Sequence, residues 1–107
     1  MIRRPGAFET DLFEQAAYIA RDNIDAAERL VDSVEATLRA LERMPRLGRV
    51  WRSPAGRRAE VRHRAVNGFP NQLLFYRVID GGIEALRLLH AARDLGRALS
   101  EEEDPSD

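Results

Sequence analysis

Apolar positions recur at helical spacing in the first half of the chain and gather into short runs in the second. From Leu12 onward, Leu12, Phe13, Ala16, Ala17, Ile19 and Ala20 fit one helix, with Thr10-Asp11 as cap and acidic first turn and a stop at Arg21-Asp22-Asn23. A second helix follows. Asp25 and Glu28 stand three apart as a variant capping box, and Ala27, Leu30, Val31, Val34, Leu38 and Leu41 keep the 3-4-3-4 rhythm of a single buried stripe. Glu28, Arg29, Asp32, Glu35, Arg39, Glu42 and Arg43 fall on the other side and read as a solvated face. Pro45 ends the helix. A connection of about four residues makes the two helices an antiparallel hairpin.

The second half reads as sheet. Residues 58–66 alternate Ala59, Val61, His63 and Ala65 with Arg58, Glu60, Arg62 and Arg64, which predicts a strand with a dry face of small and apolar residues and a basic wet face. Asn67-Gly68 marks a turn. Gln72 to Ile79 and Ile83 to His90 are rich in Leu, Ile, Phe and Tyr and flank Asp80-Gly81-Gly82, the strongest hairpin signal in the chain. Their consecutive apolar residues predict central, largely buried strands. Ile2 to Phe8 contains Pro5 and Gly6, so only a short or irregular edge strand is expected there. The segment RVWRSPAG around Trp51 reads as a loop with a short extended piece, and Leu95 to Leu99 as a short helical turn.

Composition narrows the class. With 107 residues and 44% hydrophobic content, the chain supports one core, assigned to residues 1–99. No apolar run reaches the roughly 20 residues of a membrane span, and no leader-like segment opens the chain, so a cytoplasmic location without a membrane partner is expected. There is no cysteine, which excludes a disulfide framework and thiolate chemistry. Neither a metal nor another cofactor is expected. The formal net charge of -1 hides a segregation. Residues 46–64 carry seven Arg against the single Glu60, whereas Glu101 to Asp107 carries five acids. Residues 100–107 are read as a disordered acidic tail.

The helix hairpin, Pro45-Arg46-Leu47-Gly48-Arg49, a basic strand ending in Asn67-Gly68-Phe69, the Leu74-Phe75-Tyr76-Arg77 strand and Leu88-Leu89-His90-Ala91-Ala92-Arg93-Asp94 together resemble the RelE/ParE superfamily of type II toxins, closest to its ParE branch. The similarity covers about residues 8 to 99. It implies an α+β fold in which an N-terminal helix hairpin packs on a twisted antiparallel sheet of three to four strands. It also implies a ParD-like antitoxin partner in a hetero-oligomer, with DNA reached only through that antitoxin. ParE-like members imply DNA gyrase as target; RelE-like members imply ribosome-dependent cleavage of mRNA.

On the first reading no residue is catalytic. Target contact is expected through Arg58, Arg62, Arg64 and Arg93, and antitoxin contact through Trp51, Val61 and Arg49. On the second, a metal-free ribonuclease needs proton transfer and phosphate-binding cations, which His63, His90 and Tyr76 with neighbouring Arg side chains would supply. A third reading is a relic of the fold that only binds its partner. Placement on the dry face assigns His63 a half-buried structural role, and Tyr76 within an apolar strand reads as a core ring. Only Trp51 interleaves the basic band with an aromatic ring, which argues against single-stranded RNA.

Overall fold

A computed structural model describes residues 1–51 and 60–94. The first helix, α1, spans Gly6–Ala20, and the second, α2, spans Ile24–Arg43. Five strands follow the order of the chain: β1 (Ile2–Arg3), β2 (Arg49–Trp51), β3 (Val61–Val66), β4 (Phe69–Ile79) and β5 (Gly82–His90). They form one sheet in the order β1-β5-β4-β3-β2. The pairs β2–β3, β3–β4 and β4–β5 are antiparallel.

Both helices start where backbone chemistry places them. α1 begins one turn before the expected Thr10-Asp11 cap, because Pro5 supplies the carbonyl that accepts from the N–H groups of Phe8 and Glu9 at 3.0 and 3.2 Å. Burial of Phe8, fully enclosed, favours drawing that turn into the helix. α2 is capped by Asn23, whose side chain accepts from the Ala26 N–H at 3.0 Å; the Asp25 box is already inside the first turn. Its predicted stripe is buried at Ala27, Leu30, Val34, Leu38 and Leu41 and partly buried at Val31. Each fully enclosed Leu or Val of this kind contributes about 1.5–3 kcal/mol.

The stripe of α1 is less apolar than expected. Phe8, Asp11, Leu12 and Gln15 are its buried positions, and Phe13 stands 74% exposed. Asp11 is held because it completes β5: its carboxylate accepts the Leu88 N–H at 3.0 Å and Arg87 Nε and Nη2 at 2.6 and 3.1 Å.

The sheet corrects the sequence reading in three respects. It has five strands, not three to four, and it is mixed, because β1 runs parallel to β5 with Ile2 opposite Ile83. The N-terminal ammonium donates to the Gly81 carbonyl at 3.0 Å and pairs with Glu42, while Ile83 N–H donates to the Met1 carbonyl at 3.0 Å. These contacts give a two-residue strand a fixed place.

Third, the faces of β3 are exchanged. Arg62 lies opposite Tyr76 and Arg64 opposite Leu74, and both partners are fully buried in the core beneath the helices. Directly opposed side chains share a face, so the arginines lie on the helix side while Val61, His63 and Ala65 lie on the other. Buried Val66 continues the Arg62–Arg64 alternation and fixes this phase.

Both hairpin turns are as expected. Gly68 and Gly81 have φ of 83° and 80°, and no non-glycine residue among those described has positive φ. Gly81 therefore supplies the left-handed position of the β4–β5 turn. Ala59, the Leu95–Leu99 turn and the acidic tail lie outside the described residues.

Candidate functional site

Three groups of polar and aromatic side chains occupy different parts of the sheet. The first is the turn after α2. Pro45–Leu47 forms a 3-10 turn, and the Tyr76 hydroxyl bridges it, donating to the Pro45 carbonyl at 2.5 Å and accepting the Gly48 N–H at 2.9 Å. A Cβ at position 48 would lie 2.6 Å from that hydroxyl, so glycine is required by space. Arg62 donates to the Gly48 carbonyl at 2.8 Å and pairs with Glu60 at 2.7 Å; Arg64 reaches the Leu47 carbonyl at 3.4 Å. The Pro45–Arg49 motif is thus a clamped turn that leaves Arg46 and Arg49 exposed. Burial pushes the Tyr76 phenol above its ordinary value, against the lowering influence of Gly48 N–H, Arg62 and Arg64.

The second group lies on the sheet face away from the helices. Trp51 meets His63 and Phe75 edge-on, with centroids 5.6 and 5.4 Å apart, and the His63 and Phe75 rings are 5.7 Å apart. Arg49 pairs with His63, and Trp51 with Val61. The structure therefore brings Trp51, Val61 and Arg49 together on one face. Burial lowers the His63 pKa and the nearby Arg49 lowers it further, favouring neutral imidazole.

The third group joins α1 to the end of β5. Asp94 accepts from His90 N–H at 2.8 Å and Gln15 Nε2 at 3.0 Å. Gln15 Oε1 accepts from Arg93 at 2.6 Å and from Gln72 at 3.4 Å. Arg93 also lies over the Tyr18 ring at 4.6 Å, and its N–H donates to His90 Nδ1 at 3.2 Å. Burial acts to raise the Asp94 pKa, but the His90 N–H, Gln15 and the charges of Arg93 and His90 outweigh it and hold the carboxyl below its usual range.

The alternative catalytic set does not converge. His90 pairs with Gln72, and His63 with Phe75. These β4 positions are three residues apart, which puts the histidines on opposite faces of the sheet. Tyr76 shares the helix side with neither ring nitrogen of His63. Its hydroxyl is already engaged twice. The expected target-contact residues are also divided: Arg62 and Arg64 flank the clamped turn, Arg93 sits across β4 at the far end of β5, and Arg58 lies outside the described residues. No metal-binding group of His, Cys, Asp or Glu occurs among the described residues, and none of their helices is long and apolar enough to cross a membrane.

Sequence reasoning missed Asp11, Gln15 and Gln72 because they are polar, although Asp11 and Gln15 continue the Phe8–Leu12 spacing that marks the buried stripe. It also left Arg46, exposed beside the clamped turn, out of the candidate residues.

A helix hairpin on one face of a mixed five-stranded sheet, with a basic margin at its β3–β2 side, makes this a small α+β domain. The chain belongs to the family of the ParE toxin of the type II toxin-antitoxin system, parDE, whose family model matches residues 2–95. It is therefore the toxin side of such a pair, with an antitoxin as the implied partner. No individually curated protein matches the chain.

Proposed function

We propose that this toxin acts by contact, inhibiting DNA gyrase, and is neutralised when a cognate antitoxin covers it. The gyrase assignment follows the ParE resemblance. The observation that carries the contact mechanism is the dispersal of proton-transfer groups: His63 and His90 project to opposite faces, and Tyr76 uses its hydroxyl to hold Pro45 and Gly48. General acid–base chemistry requires both groups within hydrogen-bond reach of one substrate. By contrast, Arg46, Arg49 and Arg64 are exposed around the clamped turn and have no acidic partner among the described residues.

Arg64 and Arg46, with Arg58 and Arg93, are assigned to the target, and Arg62 positions the turn. Trp51, Val61 and Arg49 form a coherent antitoxin contact on the opposite face, where an apolar row bordered by a cation suits an amphipathic acidic segment. The action is cytoplasmic in this reading.

Pulse labelling of DNA and protein synthesis within minutes of inducing the chain without antitoxin tests it. DNA synthesis is expected to fall while translation continues, and His63→Ala and His90→Ala retain toxicity. An early fall in translation, or loss of toxicity in either folded histidine variant, would transfer the site to RNA cleavage.

A further inference from the structure

The helices cover the β5–β4 part of the sheet and leave a groove along α2 and β3. Ala36, Ala40, Leu47, Arg64, Val66 and Pro70 line one stretch. Beyond Leu47 the groove continues past Arg46 and Arg62 toward Met44 and Val78. Its walls are mostly small and apolar, and its charged lining residues are Arg46, Arg62, Arg64 and Arg77 with the single acid Glu60. The acids close to it are engaged: Glu60 with Arg62, Glu84 with Arg77, and Glu42 with the N-terminal ammonium. Among the described residues, Arg46 has no acidic partner and Arg64 makes only the 3.4 Å bond to Leu47.

The chain itself carries the complementary charge. Glu101, Glu102, Glu103, Asp104 and Asp107 follow the described residues with no Lys or Arg among them. We infer that this acidic segment docks intramolecularly on Arg46 and Arg64 in the α2–β3 groove, where it competes with acidic partners of the toxin. Reach permits it. Asp94 is fixed on the helix side through Gln15, and Glu101 follows seven residues later, a span of about 23–25 Å when extended. The distance from β5 to β2 across the sheet is only about 14 Å at strand spacing.

The outer face of α2 is a poor competitor for the segment, because its acids Glu28, Asp32, Glu35 and Glu42 outnumber Arg29, Arg39 and Arg43. Tethering gives the segment an effective concentration on the order of mM, so weak charge pairing holds it until a tighter partner displaces it. No fixed conformation is required, only apposition of charge. The inference is independent of which cellular target the toxin has.

The absence of cysteine makes Ser106→Cys a unique site for a nitroxide label on the full-length chain. In ¹⁵N-labelled protein at low salt, the label is expected to broaden the amide signals of Leu47, Arg64 and Val66 selectively, sparing Asp22 and Asn23 at the opposite helix turn. Raising salt to about 1 M, where the Debye length is roughly 3 Å, should abolish the effect. Arg46→Glu with Arg64→Glu should abolish it too. The tail variant Glu101→Gln, Glu102→Gln, Glu103→Gln makes the same test without altering the core.

Absence of selective broadening at the groove, or broadening that survives high salt and the tail variant, would overturn the inference. So would broadening that appears in mixtures of spin-labelled ¹⁴N chain and unlabelled ¹⁵N chain, since that result assigns the groove to a second copy. None of these readings depends on gyrase, so the gyrase proposal can fail while the tail contact stands.

Discussion

The hydroxyl of Tyr76 and the missing side chain of Gly48 are two halves of one contact. Gly48 has φ of -76°, which any residue adopts, so without a clash alanine there would stabilise by about 0.4–1 kcal/mol through the unfolded chain. The Tyr76 ring 2.6–2.7 Å from the new Cβ reverses that sign, and Gly48→Ala is expected to cost about 1–3 kcal/mol. Tyr76→Phe keeps the ring but strands the Gly48 N–H and Pro45 carbonyl, at a cost of about 1–3 kcal/mol. Urea midpoints of the two variants check both values; an unchanged midpoint for Tyr76→Phe would remove the hydroxyl from the account. His63 and Asp94 set the acid side of stability. Both have folded pKa values below their ordinary 6.5 and 3.8, so each contributes stability above its ordinary value that is lost as pH falls through the folded one. Unfolding free energy is expected to be level from pH 8 to about 6.5, then to decline, with a second decline below about 3.8. His63→Gln should remove the first decline and leave the second. A wild-type profile that rises as pH drops below 6.5 would contradict the neutral imidazole packed by Trp51 and Phe75.

Among the elements, β1 is the short edge strand expected from sequence, but its parallel pairing with β5 was not foreseen and is sharply constrained in structure. A Cβ at Gly82 would lie 1.8 Å from the Met1 carbonyl oxygen, so this glycine lets two backbones approach, a role separate from the left-handed Gly81 beside it. Gly82→Ala is expected to part β1 from β5 while sparing the rest of the hairpin. Amide exchange provides the measurement: the Ile83 N–H, which donates to Met1, should lose protection, whereas Leu74 and Tyr76 at the sheet centre should keep it. Equal loss across β4 would mean that the strand is not a separable unit. The helix hairpin and both turns were legible because α2 has an unbroken apolar stripe and each turn has Gly where φ is positive. The start of α1 was not, since Pro5 caps through a carbonyl that no side-chain pattern records. Nor was Asp11, whose burial depends on a β5 N–H 77 residues away in sequence.

At the scale of the molecule, the same partial cover that builds the core creates the exposed basic margin. α1 and α2 enclose Leu74, Tyr76, Ala85 and Leu88 but leave β2 and the outer part of β3 beyond them. Period-two alternation made β3 visible in the sequence, yet it could not say which face turned toward the helices; Val66 and the Tyr76 and Leu74 partners decide that. Arg62 and Arg64 consequently touch the turn after α2, and the free charge moves to Arg46 and Arg49. On the proposed contact mechanism, this arrangement separates stability from toxicity. Arg46→Glu with Arg64→Glu changes exposed side chains without ion pairs among the described residues, so unfolding free energy should shift by no more than about 0.5 kcal/mol. Growth inhibition should nevertheless be lost, because reversed charge repels an acidic partner surface. Leu30→Ala, at a fully buried position of α2, should cost about 2–5 kcal/mol and lose toxicity only through loss of folded protein. Thermal melts and growth assays on the same variants distinguish the two routes. Equal destabilisation by the double arginine variant would make the basic margin part of the fold, whereas a stable variant without toxicity makes it the surface through which this toxin acts.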